Sequence, residues 1–81
     1  MDRFFTIYLD NTQTVSPSLM DMLGFLNYEG VWQAVYTNSA DVDEVLRVFT
    51  ELGYKWVMEY EYFNEQKRFD NLEAWSEWYD D

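Results

Sequence analysis

Carboxylates are the most abundant side chains in this sequence that could take part in chemistry. Its 81 residues hold 16 Asp and Glu against 5 Lys and Arg, a formal net charge of −11, with no His and no Cys. Without histidine the commonest general base is missing, and no imidazole can activate a serine as a nucleophile. Paired carboxylates act as acid and base in glycosidases, but only in a cleft that desolvates one of them, and a chain this short leaves little room for such a cleft. We therefore expect no enzyme and no cofactor.

Clustered acids could instead hold a metal ion. Asp41, Asp43 and Glu44 lie close together at a predicted helix start, and Asp80 and Asp81 are the last residues of the sequence. Neither group has the alternating oxygen ligands and central Gly of a calcium-binding loop. Acids favour helix N-termini because they oppose the positive end of the helix dipole. We interpret the first group as such a helix start and expect no metal site.

Hydrophobic periodicity and capping signals divide the sequence into strands and helices that would position these acids. Aromatic and β-branched runs predict strands over 4–9, 31–37 and 54–63, and a short extra strand over 12–15. Helices are predicted to begin at Ser16 and Pro17 and stop at Gly30, to begin at Ser39 or Asp41 and stop at Gly53, and to run from Asp70 to Tyr79. Residues 64–68 are predicted as a polar connection.

The order β(β)αβαβα predicts an α+β fold, with a single small sheet of three to four strands packed against two to three helices. The length fits one domain over 1–81. No basic stretch leads into a long apolar run, and no segment approaches the ~20 apolar residues of a membrane span. We therefore expect a cytoplasmic protein with no membrane contact, and a homodimer is left open.

Apolar spacing predicts which side chains form the core. In the first helix the apolar face is Leu19, Met22, Leu23 and Leu26, with Gly24 inside the helix at a cost of ~1 kcal/mol relative to Ala. In the second helix it is Val42, Val45, Leu46, Phe49 and Leu52. Along the strand over 54–63, alternation turns Trp56, Met58, Tyr60 and Tyr62 inward, and turns Glu59 and Glu61 toward water.

The last helix carries carboxylates at helical spacing with no base among them. Asp70, Glu73, Glu77 and the terminal Asp80 and Asp81 fall along one face. Like charges at this spacing cost ~0.2–0.5 kcal/mol per pair, and acids near a helix C-terminus also oppose the dipole. In the second helix, by contrast, an Arg between two acids partly neutralises them. One hypothesis is that this row of acids has a function. The alternative is that it arises by chance in an acidic protein.

The strand over 54–63 predicts a second row, because Glu59 and Glu61 project from one face about 6.7 Å apart. Phosphates advance ~3.4 Å along the axis of one DNA strand, so carboxylates at this spacing can approximate a phosphate track. Sheets that stack bases on aromatics surround them with basic residues, whereas acids surround these aromatics. We therefore expect no direct nucleic-acid binding. Trp75 and Trp78 are predicted to pack on the sheet, and a docking patch stays open as the alternative.

In size and composition the chain resembles the acidic inhibitors made by bacteriophages and mobile elements. These include anti-restriction proteins, anti-CRISPR proteins and inhibitors of uracil-DNA glycosylase, many of which are short, strongly acidic and able to occupy a nucleic-acid channel. The resemblance covers the whole chain as composition, and it carries over no motif and no functional residue. It implies a compact, folded, anionic protein that binds a nucleic-acid-binding protein.

The leading hypothesis is therefore a non-enzymatic DNA mimic that blocks the basic groove of a host nuclease or defence effector. Three alternatives stay open: an immunity-type or antitoxin-type protein for a basic nuclease, a small adaptor or assembly subunit anchored by aromatics, and an acidic domain whose charge only ensures solubility. The candidate partner-binding residues are acidic side chains of the last strand and of the two later helices. They are Glu59, Glu61, Asp70, Glu73, Glu77, Asp80 and Asp81, followed by Asp43, Glu44 and Glu51.

Overall fold

A five-stranded antiparallel sheet organises the chain in its structure, a computed structural model that describes residues 3–79. In chain order the elements are β1 (Phe4–Asp10), α1 (Pro17–Met22), β2 (Leu26–Tyr28), β3 (Val31–Tyr36), α2 (Ser39–Glu51), β4 (Val57–Tyr62), β5 (Glu65–Phe69) and α3 (Leu72–Tyr79). The strand order is β2-β3-β1-β4-β5, with β1 in the centre and a hairpin on either side of it. The α+β prediction is confirmed, whereas the expected three to four strands were too few.

The three helices of the described chain cover one face of this sheet. Buried residues of α1, α2 and α3 join inward-facing residues of β1 and β4 in a single core cluster. Trp75 of α3 is fully buried, and its ring lies 6.1 Å from that of Phe5 and 5.8 Å from that of Phe69, both centroid to centroid. The prediction that Trp75 packs on the sheet is confirmed. The inward alternation predicted for β4 is also confirmed, with Met58 and Tyr60 buried.

Helix α1 begins as predicted but ends early. Ser16 Oγ accepts a hydrogen bond from Leu19 N at 3.3 Å, and Pro17 opens the first turn. The helix ends at Met22 because Gly24 adopts a left-handed φ of 82° and its N–H bonds to the Asp21 carbonyl at 3.1 Å. This pattern is a Schellman cap, in which Gly is favoured. The prediction of a helix continuing to Gly30 was wrong, because Gly24 stops the helix instead of weakening its middle.

The early end of α1 changes which side chains are buried. Met20 is fully buried, while Met22 is 76% exposed and Leu26 lies exposed on β2. The predicted apolar face, which assumed one continuous helix through Leu26, was therefore wrong in part. Leu19 and Leu23 lie half-buried against the edge of the core.

Two segments of irregular or edge structure were assigned incorrectly. Residues 12–15 form no strand. A side chain in this segment holds it instead, since Gln13 Nε2 donates to the Lys55 carbonyl at 2.6 Å and Gln13 Oε1 accepts from Lys55 N at 2.7 Å. Residues 65–68, predicted as a polar connection, belong to the edge strand β5, which pairs with β4. Only Phe69 of β5 is buried, so the strand shows little hydrophobic alternation.

The caps of α2 and α3 each lie one residue or more from their predicted positions. Asn38, not Ser39 or Asp41, caps α2, and its Oδ1 accepts from Ala40 N at 2.8 Å. Asn71 rather than Asp70 caps α3, and its Oδ1 accepts from Ala74 N at 2.8 Å. The apolar stripe of α2 is buried as predicted, except that Leu52 is exposed at its C-cap. Across residues 3–79, no helix has the length and apolar character needed to cross a membrane.

Candidate partner-binding surfaces

The fold separates the candidate acids onto two sides of the molecule. Glu59 and Glu61 project from the sheet face that carries no helix, while the candidate acids of α2 and α3 lie on the opposite, helical side. The two predicted carboxylate rows therefore do not merge into one track. Asp80 and Asp81 lie outside the described residues.

Asp43 is a structural residue at the contact between α2 and α3. Its Oδ1 accepts from Trp75 Nε1 at 2.8 Å, and its Oδ2 accepts from Arg47 Nε at 2.9 Å. The Arg47 guanidinium also donates to Ser76 Oγ at 3.5 Å, which links the same two helices. Because both carboxylate oxygens are engaged inside the protein, Asp43 is poorly placed to imitate a free phosphate. The predicted partial neutralisation by Arg47 is confirmed for Asp43, whereas no salt bridge joins Arg47 to the other acid, Glu51, within residues 3–79.

Four exposed carboxylates form what we call the α2–α3 acidic face: Glu44, Glu51, Glu73 and Glu77. On each helix they lie opposite the buried stripe, and α3 packs directly against α2. Glu73 and Glu77 are one turn apart, a rise of about 6 Å, and Glu44 and Glu51 are two turns apart, about 10.5 Å. None of the four forms a salt bridge with any of residues 3–79. Their charges are therefore available to a partner.

Asp70 stands just before this surface, in the connection that leads into α3. Its side chain is exposed, and its Oδ1 accepts a hydrogen bond from Asn71 Nδ2 at 3.1 Å. This contact leaves the second carboxylate oxygen without a hydrogen-bond donor among the described residues. Asp70 can therefore extend the charge of the acidic face at the N-terminal end of α3.

The acids of the open sheet face are interrupted by other chemistry. Glu59 lies opposite Thr6 of β1 and Arg68 of β5 in the sheet register, and Glu61 lies opposite Phe4 and Gln66. A cation directly beside Glu59 weakens any likeness to a phosphate row. Exposed apolar side chains, including that of Phe4, lie on the same face. The sheet face is thus mixed in charge and polarity, whereas the cation beside the acids of α2, Arg47, is already paired with Asp43.

The pKa of the Tyr8 hydroxyl is sensitive to the charge of Glu59. Burial raises the pKa of Tyr8 above its ordinary value, and the adjacent Glu59 carboxylate raises it further by its charge and by accepting a hydrogen bond. Because the pKa of Tyr8 is higher in the folded state than in the unfolded state, the protonated hydroxyl stabilises the folded state. This stabilisation is fully present below the unfolded pKa of ~10 and is lost as the pH rises through the folded pKa.

We expect Glu59→Gln to lower the pKa of Tyr8 and so to reduce the alkaline loss of stability, because the charge that disfavours tyrosinate is gone. NMR titration of tyrosine ring carbons checks the pKa, with Glu61→Gln as the matched control on the same strand. An unchanged Tyr8 pKa in Glu59→Gln would contradict the assigned cause.

Comparison with known protein families, curated proteins and solved structures gives no match. Across residues 3–79, no group of three or more acidic side chains is placed to hold a metal ion. The surface that sequence reasoning missed is a groove between α1 and α2, which Asp41 and Glu44 border. A sequence signal for it was Val48, an apolar residue outside the predicted stripe of α2, whereas Met22 was expected in the core and is left outside it by the early end of α1.

Proposed function

We propose that this chain is a non-enzymatic inhibitor that mimics DNA and occupies the basic nucleic-acid-binding groove of a host nuclease or defence effector of the CRISPR or restriction type. It would act in the cytoplasm of the host cell. The observation that carries the proposal is the α2–α3 acidic face, in which four exposed carboxylates lie without salt bridges to the rest of residues 3–79. These carboxylates compete for Lys and Arg side chains that otherwise contact phosphates.

The way the face is built supports this role. The Asp43 carboxylate joins α2 to α3 through Trp75 and Arg47, so the two helices present their acids from one packed layer. A pre-organised surface loses less conformational freedom on binding. The net charge of −11 steers the chain toward a positively charged groove, which speeds association and makes it sensitive to salt.

The same surface would also serve an immunity-type or antitoxin-type protein, since blocking a basic toxin nuclease uses the same electrostatics. A toxin gene beside the gene of this chain would distinguish that case. An adaptor anchored on Trp75 receives no support, because this side chain is fully buried. Trp78 lies half-buried against the same core.

Capture from a bacterial lysate tests the proposal. The immobilised protein is exposed to lysate at about 0.1 M and at about 0.5 M salt, where the Debye length falls from ~10 Å to less than half of that. We expect a nucleic-acid-handling protein that is retained at low salt, released at high salt and displaced by added duplex DNA. A partner that persists at high salt and ignores DNA would overturn mimicry and favour an adaptor.

A further inference from the structure

A groove of about 440 Å³ lies between α1 and α2, on the helical side of the molecule. Its lining is mostly apolar and comes from three elements: Leu19, Met22 and Leu23 at α1, Val45 and Val48 on α2, and Tyr36 of β3. Apolar side chains of α1 and α2 therefore line the two sides of an open groove. Within the described chain, nothing covers it.

Strand β3 fixes the shape of the groove through Tyr36. The Tyr36 hydroxyl donates to the Leu23 carbonyl at 2.9 Å, which ties the end of α1 to the sheet. Gly24 follows at once in a left-handed conformation, so α1 cannot extend and fill the space. A groove fixed in this way is available to a partner without rearrangement.

The charge at the border of the groove is entirely negative. Asp41 and Glu44 of α2 line it, and no Lys or Arg does. Both acids are exposed and form no salt bridge with the described part of the chain. An apolar channel with acids along one border complements a segment that has apolar residues on one side and basic residues beside them.

We infer that this groove binds a basic amphipathic helix of a partner protein, with the apolar face of that helix in the channel and its Lys or Arg side chains against Asp41 and Glu44. A second copy of this chain is a poor occupant, because two chains of net charge −11 repel each other. Met22 and Val48 supply the exposed apolar contacts, and Met adapts well to varied partners. This inference goes beyond the proposed function, since it holds whether or not the partner binds nucleic acid.

The probe is a pair of synthetic helical peptides of equal charge. One has Leu at i, i+3, i+4 and i+7 with Lys at the remaining positions, and the other replaces every Leu with Ala, which keeps the helical propensity. Both are attracted equally by the net charge of the protein, so the ratio of their dissociation constants isolates the apolar groove. We expect the Leu peptide to bind about tenfold or more tightly than the Ala peptide, with one peptide per chain.

The matched variants remove apolar side chains inside and outside the groove. Met22→Ser with Val48→Ser should abolish most of the preference for the Leu peptide, whereas Val35→Ser with Leu52→Ser, both exposed and outside the groove, should preserve it. All four positions are at least 37% exposed, so each double variant is expected to fold, which circular dichroism checks. None of these changes touches the α2–α3 acidic face.

Three results would overturn the inference. The first is equal binding of the two peptides by the unaltered protein. The second is a preference for the Leu peptide that survives Met22→Ser with Val48→Ser. The third is a dimer in sedimentation velocity that the groove variant converts to a monomer, because a second copy would then cover the channel. If the acidic-face variant loses a captured partner but keeps the preference for the Leu peptide, while the groove variant loses that preference, both proposals stand independently.

Discussion

Replacing Trp75 with Ala is expected to lower the free energy of unfolding by about 3–5 kcal/mol. The side chain is 0% exposed, and its ring lies 5.6 Å from the ring of Trp78 and 5.1 Å from that of Tyr79, both centroid to centroid. A domain of this length has a total stability of roughly 4–12 kcal/mol, so the change removes a large part of it. Urea denaturation followed by circular dichroism measures the loss.

Two controls separate the contributions of Trp75. Trp75→Phe keeps an aromatic ring but removes the donor that bonds to Asp43 Oδ1, and we expect a cost of about 1–3 kcal/mol. Tyr28→Ala removes an exposed aromatic and should change stability by less than about 1 kcal/mol. If Trp75→Ala were as mild as Tyr28→Ala, the packing of α3 described above would be wrong, and Trp75 would again be a candidate partner anchor.

Removing three of the four charges of the α2–α3 acidic face is expected to weaken binding of the captured partner by about 10- to 100-fold at low salt. The variant combines Glu51→Gln, Glu73→Gln and Glu77→Gln, each of which removes one charge without changing side-chain size. Stability should move the other way, because relieving the repulsion between Glu73 and Glu77 gains ~0.2–0.5 kcal/mol. Titration calorimetry gives the affinity, and thermal unfolding gives the stability.

The matched control removes the same number of charges from the β4–β5 hairpin, with Glu59→Gln, Glu61→Gln and Glu65→Gln. Both triple variants change the net charge from −11 to −8, so any difference between them reports on position and not on total charge. We expect the hairpin variant to lose much less affinity. Equal losses would mean that the partner responds only to net charge, and a larger loss in the hairpin variant would move the binding surface to the β4–β5 hairpin.

Local patterns were sufficient for the elements that form the centre of the fold. Strand β1, the inward alternation of β4 and the stripe of α2 follow from residue spacing, because each element buries one face against the same core. The edge strands β2 and β5 were missed because they bury little and owe their conformation to hydrogen bonds from neighbouring strands. Gly24 was misjudged because a glycine's effect depends on whether the chain turns there.

The candidate site was predictable as a set of acids but not as a surface. Spacing alone placed Glu73 and Glu77 together on one helix face. It could not show that the Asp43 carboxylate accepts a hydrogen bond from Trp75, which lies 32 residues away in the chain. Nor could it show that Glu59 lies opposite Arg68 in the β4–β5 strand pair. The groove at Met22 required both the early end of α1 and the packing of α2 beside it.

The sequence by itself determined the sign and density of charge, the lack of histidine and cysteine chemistry, and the strands and helices with strong periodicity, because these are properties of composition and of neighbouring residues. Only the tertiary structure decided which carboxylates share a surface and which are used internally. The physical reason is that charge availability depends on contacts between residues far apart in the chain, and sheet register and helix packing alone create those contacts.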